Sequence, residues 1–399
     1  MTTYLHMFTK PLRLTATLIG VLLLTTACNS TTVVTANSTP ARQSTVYMPP
    51  ELLLDIGILP FAPGIPDSEE ALEKERIVPD VRRAESRYIA YQLKDTLERT
   101  GNWGAVRVTP EPSSAVDLEL TGEIVISDGE RLEARVRAED SRGVVWLDKV
   151  YEDNASKYSY DQPIEDPFQD FYNQIADDLL AYRDRVSTDE ITNIRQVSQL
   201  TYAASLSEEA FGSYLDTSGR RVTVNQLPSD SNAMLERVNR IKEREYLFID
   251  TLDDYYGRFY RDMKPSYDEW RYATYDEAVR LRQMKKQARN RLLGGAAMIA
   301  GGLYAGSESG TYAGQAASVG AVVGGIGAIK SGLERQKEAE IHEESLRELS
   351  QSLGAEIAPH VLDIEGRTIE LTGTADAQYE QWRRILKEIY AEETGLPID

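Results

Sequence analysis

Cysteine and histidine are almost missing from this chain, with one Cys and three His in 399 residues. That scarcity leaves no disulfide framework and no Cys/His metal cluster. Positive charge is also in short supply: 44 Lys and Arg stand against 64 Asp and Glu, a formal net charge of −20. A chain with that balance is not a general nucleic-acid binder. No GxxxxGK[ST] loop or nucleophile elbow occurs, and carboxylates are too common to mark a catalytic pair. With 41% hydrophobic and 27% charged residues, most of the chain is globular, neither disordered nor polytopic, and long enough for two or three domains. No enzyme, metal or cofactor is expected.

What is present starts with an address. Lys10 and Arg13 precede an apolar run from Leu14 to Leu24, and Thr25-Thr26-Ala27 leads into Cys28, the one cysteine. Eleven apolar residues are too few to span ~30 Å of hydrocarbon, so a cleaved signal over 1–27 is expected. The run resembles the bacterial lipobox, with Thr25 where that family carries Leu. The resemblance implies that Cys28 is diacylated and becomes the mature N-terminus. Asn29, rather than Asp, follows it, which implies the outer membrane, with the body facing the periplasm. Residues 28–50, rich in Ser, Thr, Asn and Pro, read as a flexible tether.

Residues 51–185 read as a first domain of mixed strands and helices. Leu52–Phe61 is an apolar strand stopped by Pro60, and 81–100 is a helix with Ala84, Ile89, Leu93 and Leu97 on one face, ended by Gly101. Strands follow at 106–108, 116–124, 131–138 and 144–151, with turns at Asp128-Gly129 and 141–143. A helix over 166–185 carries Phe168, Phe171, Ile175 and Leu179. The order, with Ile58-Leu59-Pro60-Phe61, Gly101 and Trp103 after the helix, and Val116-Asp117-Leu118 leading to Thr121-Gly122, resembles the N-terminal domain of TolB-like, CsgG-like and LpoB-like envelope proteins. That resemblance covers about a third of the chain. It implies an α+β fold with a sandwich-like mixed sheet, used for docking rather than catalysis, and no functional residue is carried across.

Residues 186–291 are helical by pattern, in segments near 190–214, 231–256 and 266–291. Tyr246, Tyr255, Tyr256, Tyr260, Tyr267, Tyr272, Tyr275 and Trp270 crowd this region. They read as interhelical packing with the hydroxyls at the rim, in preference to an aromatic platform for sugar or peptide.

Between Leu292 and Ile329 only Glu308 is charged, and glycine recurs at Gly302, Gly306, Gly310 and Gly314, then Gly320 and Gly324. Each interior glycine costs a helix ~1 kcal/mol, so close backbone approach must compensate. The run resembles glycine-zipper segments of envelope lipoproteins, folded as a helical hairpin over 292–331. Three readings stay open: an element buried within the chain, a contact that makes a homo-oligomer, and membrane insertion. The short first arm counts against the last.

Ahead of it, Arg280, Arg282, Lys285, Lys286, Arg289 and Arg291 form a basic cluster, a candidate contact for an anionic surface. The bland alternative is a solvated helix face. Residues 332–399 read as a helix and a ββα unit, with strands around Gly366 and a helix capped by Asp376. That unit, which includes Leu371-Thr372-Gly373, resembles half of a BON-type envelope domain. The expectation is an outer-membrane lipoprotein that docks unidentified envelope proteins. The alternatives are a subunit of a CsgG-like export assembly and, third, an enzyme acting on envelope polymer.

Overall fold

The computed structural model describes residues 38–44, 47–161, 163–229, 231–305, 341, 343–345, 347–348, 351, 359–364 and 367–395; at 284–285, 287–305, 363–364 and 367 it describes the backbone alone. Cys28, Gly306, Gly310, Gly314, Gly320, Gly324 and the proposed hairpin turn lie outside the described residues. Met1–Thr35 and Ala36–Asp399 cluster as separate units, and every described element belongs to the second.

The fold is mixed α/β around a mixed sheet, in keeping with the α+β expectation. Strands β1 (Ile56–Ile58), β2 (Val106–Val108), β3 (Leu118–Ser127), β4 (Arg131–Asp140) and β5 (Val145–Asn154) lie in the order β2-β1-β3-β4-β5. β1 is parallel to both neighbours, while β3, β4 and β5 form an antiparallel meander. After α1 (Glu69–Glu75) comes α2 (Pro79–Thr100), the crossover from β1 to β2, and Gly101 at φ 65° closes it. α3 (Gln169–Arg183) packs beside α2. Alternation along β3 and β4 sends Leu118, Leu120, Val136 and Ala138 into a core with Leu93, Leu97, Phe171 and Ile175. The strand expected over 52–61 is paired only at Ile56–Ile58; Pro60 has no N–H to offer a ladder.

The tether is shorter than expected. Along α3, Asp170, Asn173 and Asp177 recur three and four residues apart and so share a face. They hold the incoming segment: Thr39 N and Arg42 N donate to Asp170 Oδ1 and Asp177 Oδ1, each at 2.7 Å, and Asn173 Nδ2 donates to Thr39 O at 2.8 Å. Ser44 N donates to Asn102 Oδ1, which corrects the reading of 28–50 as a free linker: residues 38–44 are docked on the body.

Three further corrections concern the helices. α4 (Thr188–Leu206) ends where Ser207 caps a one-turn helix, Glu208–Phe211, and the two-residue strands β6 (Leu215–Asp216) and β7 (Thr223–Val224) pair after it. The segments expected at 231–256 and 266–291 are one helix, α5 (Ala233–Ala305), with Pro265 inside it. Proline in a helix interior costs ~3 kcal/mol, but Met263 and Tyr267 on either side of it are buried against α2 with Tyr88 and Val81, so packing carries the helix through. Its 73 residues span about 110 Å at 1.5 Å each. The tyrosine hydroxyls are not all at the rim either: Tyr267 is 1% exposed and its Oη donates to Glu85 at 2.8 Å, inside the protein.

At the C-terminus β8 (His360–Ile364) and β9 (Arg367–Leu371) pair, and α6 (Ala375–Thr394) follows. Thr374, not Asp376, is its N-cap, with Thr374 Oγ1 accepting from Ala377 N at 3.1 Å; the helix begins one residue before Asp376. Tyr379, Trp382 and Leu386 join the same buried cluster as Leu54, Leu93 and Ile194. The boundary expected at 185 therefore runs through a shared core. Trp382→Ala should lower stability by about 3–5 kcal/mol in one cooperative transition followed by far-UV dichroism. A separate early transition would show that the C-terminal unit folds apart.

Candidate functional site

Buried charge places α5 against the body. Arg271 is 1% exposed, and its Nη2 and Nη1 donate to Asp166 Oδ2 and Oδ1 at 3.0 and 3.4 Å. Its guanidinium lies 4.2 Å from the Tyr267 ring centre, and Tyr88 Oη also donates to Asp166. Burial alone would raise the Asp166 carboxyl, but the Arg271 charge and hydrogen bonds outweigh it and hold the group below the usual range. One turn earlier on α5, Tyr267 donates to Glu85, which also accepts from Ser127; burial pushes the Glu85 carboxyl up despite nearby Arg82. The β3–β4 turn then closes on the same helix. A Cβ at Gly129 would sit 2.0 Å from Arg271 O and 2.6 Å from Tyr275 N, so only glycine lets the turn touch the helix backbone.

That contact leaves a cleft of about 530 Å³ beside it, walled by Glu75, Ile77 and Arg82, by the end of β3 at Val125–Asp128 with Arg131, and by Ala278, Leu281, Arg282 and Lys286 of α5. Four cations meet two acids there. Asp128 is occupied by its own turn, accepting from Glu130 N and Arg131 N. Arg282 binds Glu130, whose carboxyl burial nonetheless raises, and Arg131 lies 3.6–3.8 Å from Glu152 and Glu133. Arg82, 5% exposed, turns its Nε toward Glu85 at 3.4 Å and donates weakly to Ser127 O at 3.4 Å, while its Nη1 has no hydrogen-bond partner. Lys286 is exposed and has no ion pair among the described residues. The lining also exposes Val125. Such a set has the chemistry to accept an anion against an apolar wall.

Of the basic cluster, the structure thus brings Arg282 and Lys286 to the cleft, while Arg280 is exposed and donates to Asp276 O of its own helix. The side chains of Lys285, Arg289 and Arg291 lie outside the described residues. Gly302 falls in the last turns of α5. Sequence reasoning missed Arg82 and Arg131, which sit far from the cluster in the chain; their only signal is position, one at a helix start and one at a turn. Among the described residues no group of three His, Cys, Asp or Glu side chains is placed to hold a metal ion, and no helix is long and apolar enough to cross a membrane. No known protein family, curated protein or solved structure matches the chain.

The pair that seats α5 has a testable cost. Asp166→Asn takes away the buried one of the two carboxylates that face Arg271, leaving only Asp268, and breaking a buried pair typically costs about 3–5 kcal/mol. The wild-type carboxyl titrates below its unfolded value of about 3.9, so the stabilisation is present above that pH and fades as pH falls through the folded pKa. Urea unfolding at pH 7 and at pH 3 should show the gap between wild type and Asp166→Asn shrinking at the lower pH.

Proposed function

We propose that this protein is a non-enzymatic outer-membrane lipoprotein, anchored through acylated Cys28 and facing the periplasm, that docks envelope partners through the basic cleft on α5. The cleft carries the reading: exposed Lys286, which has no ion pair among the described residues, and half-exposed Arg282 stand beside an apolar wall on a helix seated by a buried ion pair. Groups so placed suit an acidic partner surface, since desolvated charge pairs at an apolar margin add both affinity and specificity. The docked segment 38–44 adds a constraint. Between Cys28 and Ser38 the chain reaches at most ~35 Å, so the body works close to the membrane that holds it. The TolB-like, CsgG-like and LpoB-like resemblance of residues 51–185 points the same way, and a sandwich-like sheet with a glycine-zipper hairpin belongs to this proposal.

Two arms test it. Cys28→Ser should move the protein from the membrane fraction to the soluble fraction after a high-salt wash; retention at unchanged level would remove lipidation as the anchor. A photo-crosslinking residue at Lys286 should trap a partner in intact envelopes, and Arg282→Glu should abolish that product. The same residue at exposed Ser218 should trap none. Equal trapping at both positions would defeat the cleft as a docking site.

A further inference from the structure

The sheet has a second face, turned away from the α2–α3 core, and its residues are polar: Glu119 and Thr121 on β3, Arg137 and Glu139 on β4. The ladder places Glu119 opposite Glu139 and Thr121 opposite Arg137. Ser198 and Thr201 of α4 and the loop at Pro112–Ser114 cover this face, leaving a cleft of about 330 Å³ lined also by Asp117, Asp140 and Ser141. Cavities of that size suit small molecules.

Its polar groups do not satisfy one another. Ser198 is wholly buried and its Oγ has no hydrogen-bond partner; Ser114 Oγ and Thr201 Oγ1 are likewise buried and unpartnered. Three hydroxyls without partners on one cleft are unusual, because buried polar groups are nearly always paired. Charge is unbalanced as well. Arg137 is the one cation of the lining, and it is taken by Glu139 and Asp148. Asp140 is taken by Arg142 at 2.8 Å and Trp146 Nε1 at 3.0 Å. Asp117 accepts from Asp55 N at 2.9 Å and has the positive charge of Lys242 nearby. Glu119 has no ion pair among the described residues and faces a like charge across the ladder, an arrangement that destabilises strands. Burial raises its carboxyl, a backbone hydrogen bond from Ser113 opposes that, and Glu139 adds to the rise.

We propose that this cleft binds a small ligand through a primary ammonium group. An ammonium brings one positive charge and three N–H donors with no acceptor, which matches a carboxylate lacking a counter-charge beside hydroxyl oxygens lacking donors. An anion would meet four carboxylates. A neutral sugar would leave Glu119 uncompensated and would find no aromatic ring in the lining to stack on. This assignment is independent of the docking cleft on α5, which uses the far end of β3 and the first residue of β4, where this cleft uses the start of β3 and the end of β4.

Calorimetric titration of the full chain with 1,4-diaminobutane, and with 1,4-butanediol as its neutral counterpart, tests the proposal. Saturable one-site binding of the diamine alone is expected. Glu119→Gln should weaken it at least tenfold, and Ser198→Ala should weaken it while leaving thermal stability unchanged or higher. Glu73→Gln, on exposed α1, should leave binding unchanged. Absence of saturable binding, equal binding of the diol, or equal loss with Glu73→Gln would overturn the assignment, the last by showing non-specific attraction to an acidic protein. Ser198→Ala that gains stability without losing binding would overturn it too, by leaving the hydroxyl outside the site.

Discussion

Arg271 and Asp166 meet where neither touches water, and the position of α5 along the body depends on that meeting. Two ions so deeply buried are tolerable only when geometry is good and the remaining hydrogen bonds are filled. Here the guanidinium reaches Asp166 and Asp268 through Nη1 and Nη2 and lies over Tyr267, Tyr88 also donates to Asp166, and Arg271 Nε alone is left without a partner. A second buried ion, Glu245, lies further toward the start of the helix. It accepts from Tyr379 at 2.8 Å and Arg383 at 3.2 Å, joining α5 to α6. Apolar stripes tolerate a slip of one turn, because the next leucine or tyrosine fills the same space. Two opposite ions on one helix, each needing its own partner, do not tolerate it. The register of α5 follows, and with it the face that Arg282 and Lys286 present.

The two clefts differ in how their charges are left. Beside α5 the excess is positive and sits near exposed Val125, a mixture suited to a macromolecular surface. Between the sheet and α4 the excess is negative and the volume smaller. The chain as a whole is strongly acidic, so the basic cleft stands against a repulsive background that disfavours acidic partners elsewhere on the surface.

Gly129 and Pro265 owe their places to packing rather than to intrinsic preference. Gly129 is needed because its turn touches helix backbone, and Pro265 is tolerated because both flanks are buried. Asp170, Asn173 and Asp177 show the same dependence on context: a polar stripe on α3 is the seat of residues 38–44.

Strand alternation, helical periodicity and turn chemistry are local, and they were legible. The five sheet strands, the α2 stripe of Ala84, Ile89, Leu93 and Leu97, the Gly101 cap and the ββα order at the C-terminus all follow from spacing in the sequence. The basic cluster was legible as charge, though not as a cleft. Arg82 and Arg131 join it only because α2 and the β3–β4 turn come to α5 from elsewhere in the chain. Continuity through Pro265 and the docking of 38–44 were likewise beyond a local reading, because each depends on energies exchanged between distant segments. Side-chain order along the chain determined the elements; burial of Arg271 with Asp166 and of Glu245 with Arg383 decided how they stand together, since an ion removed from water accepts only the arrangement that restores its partners.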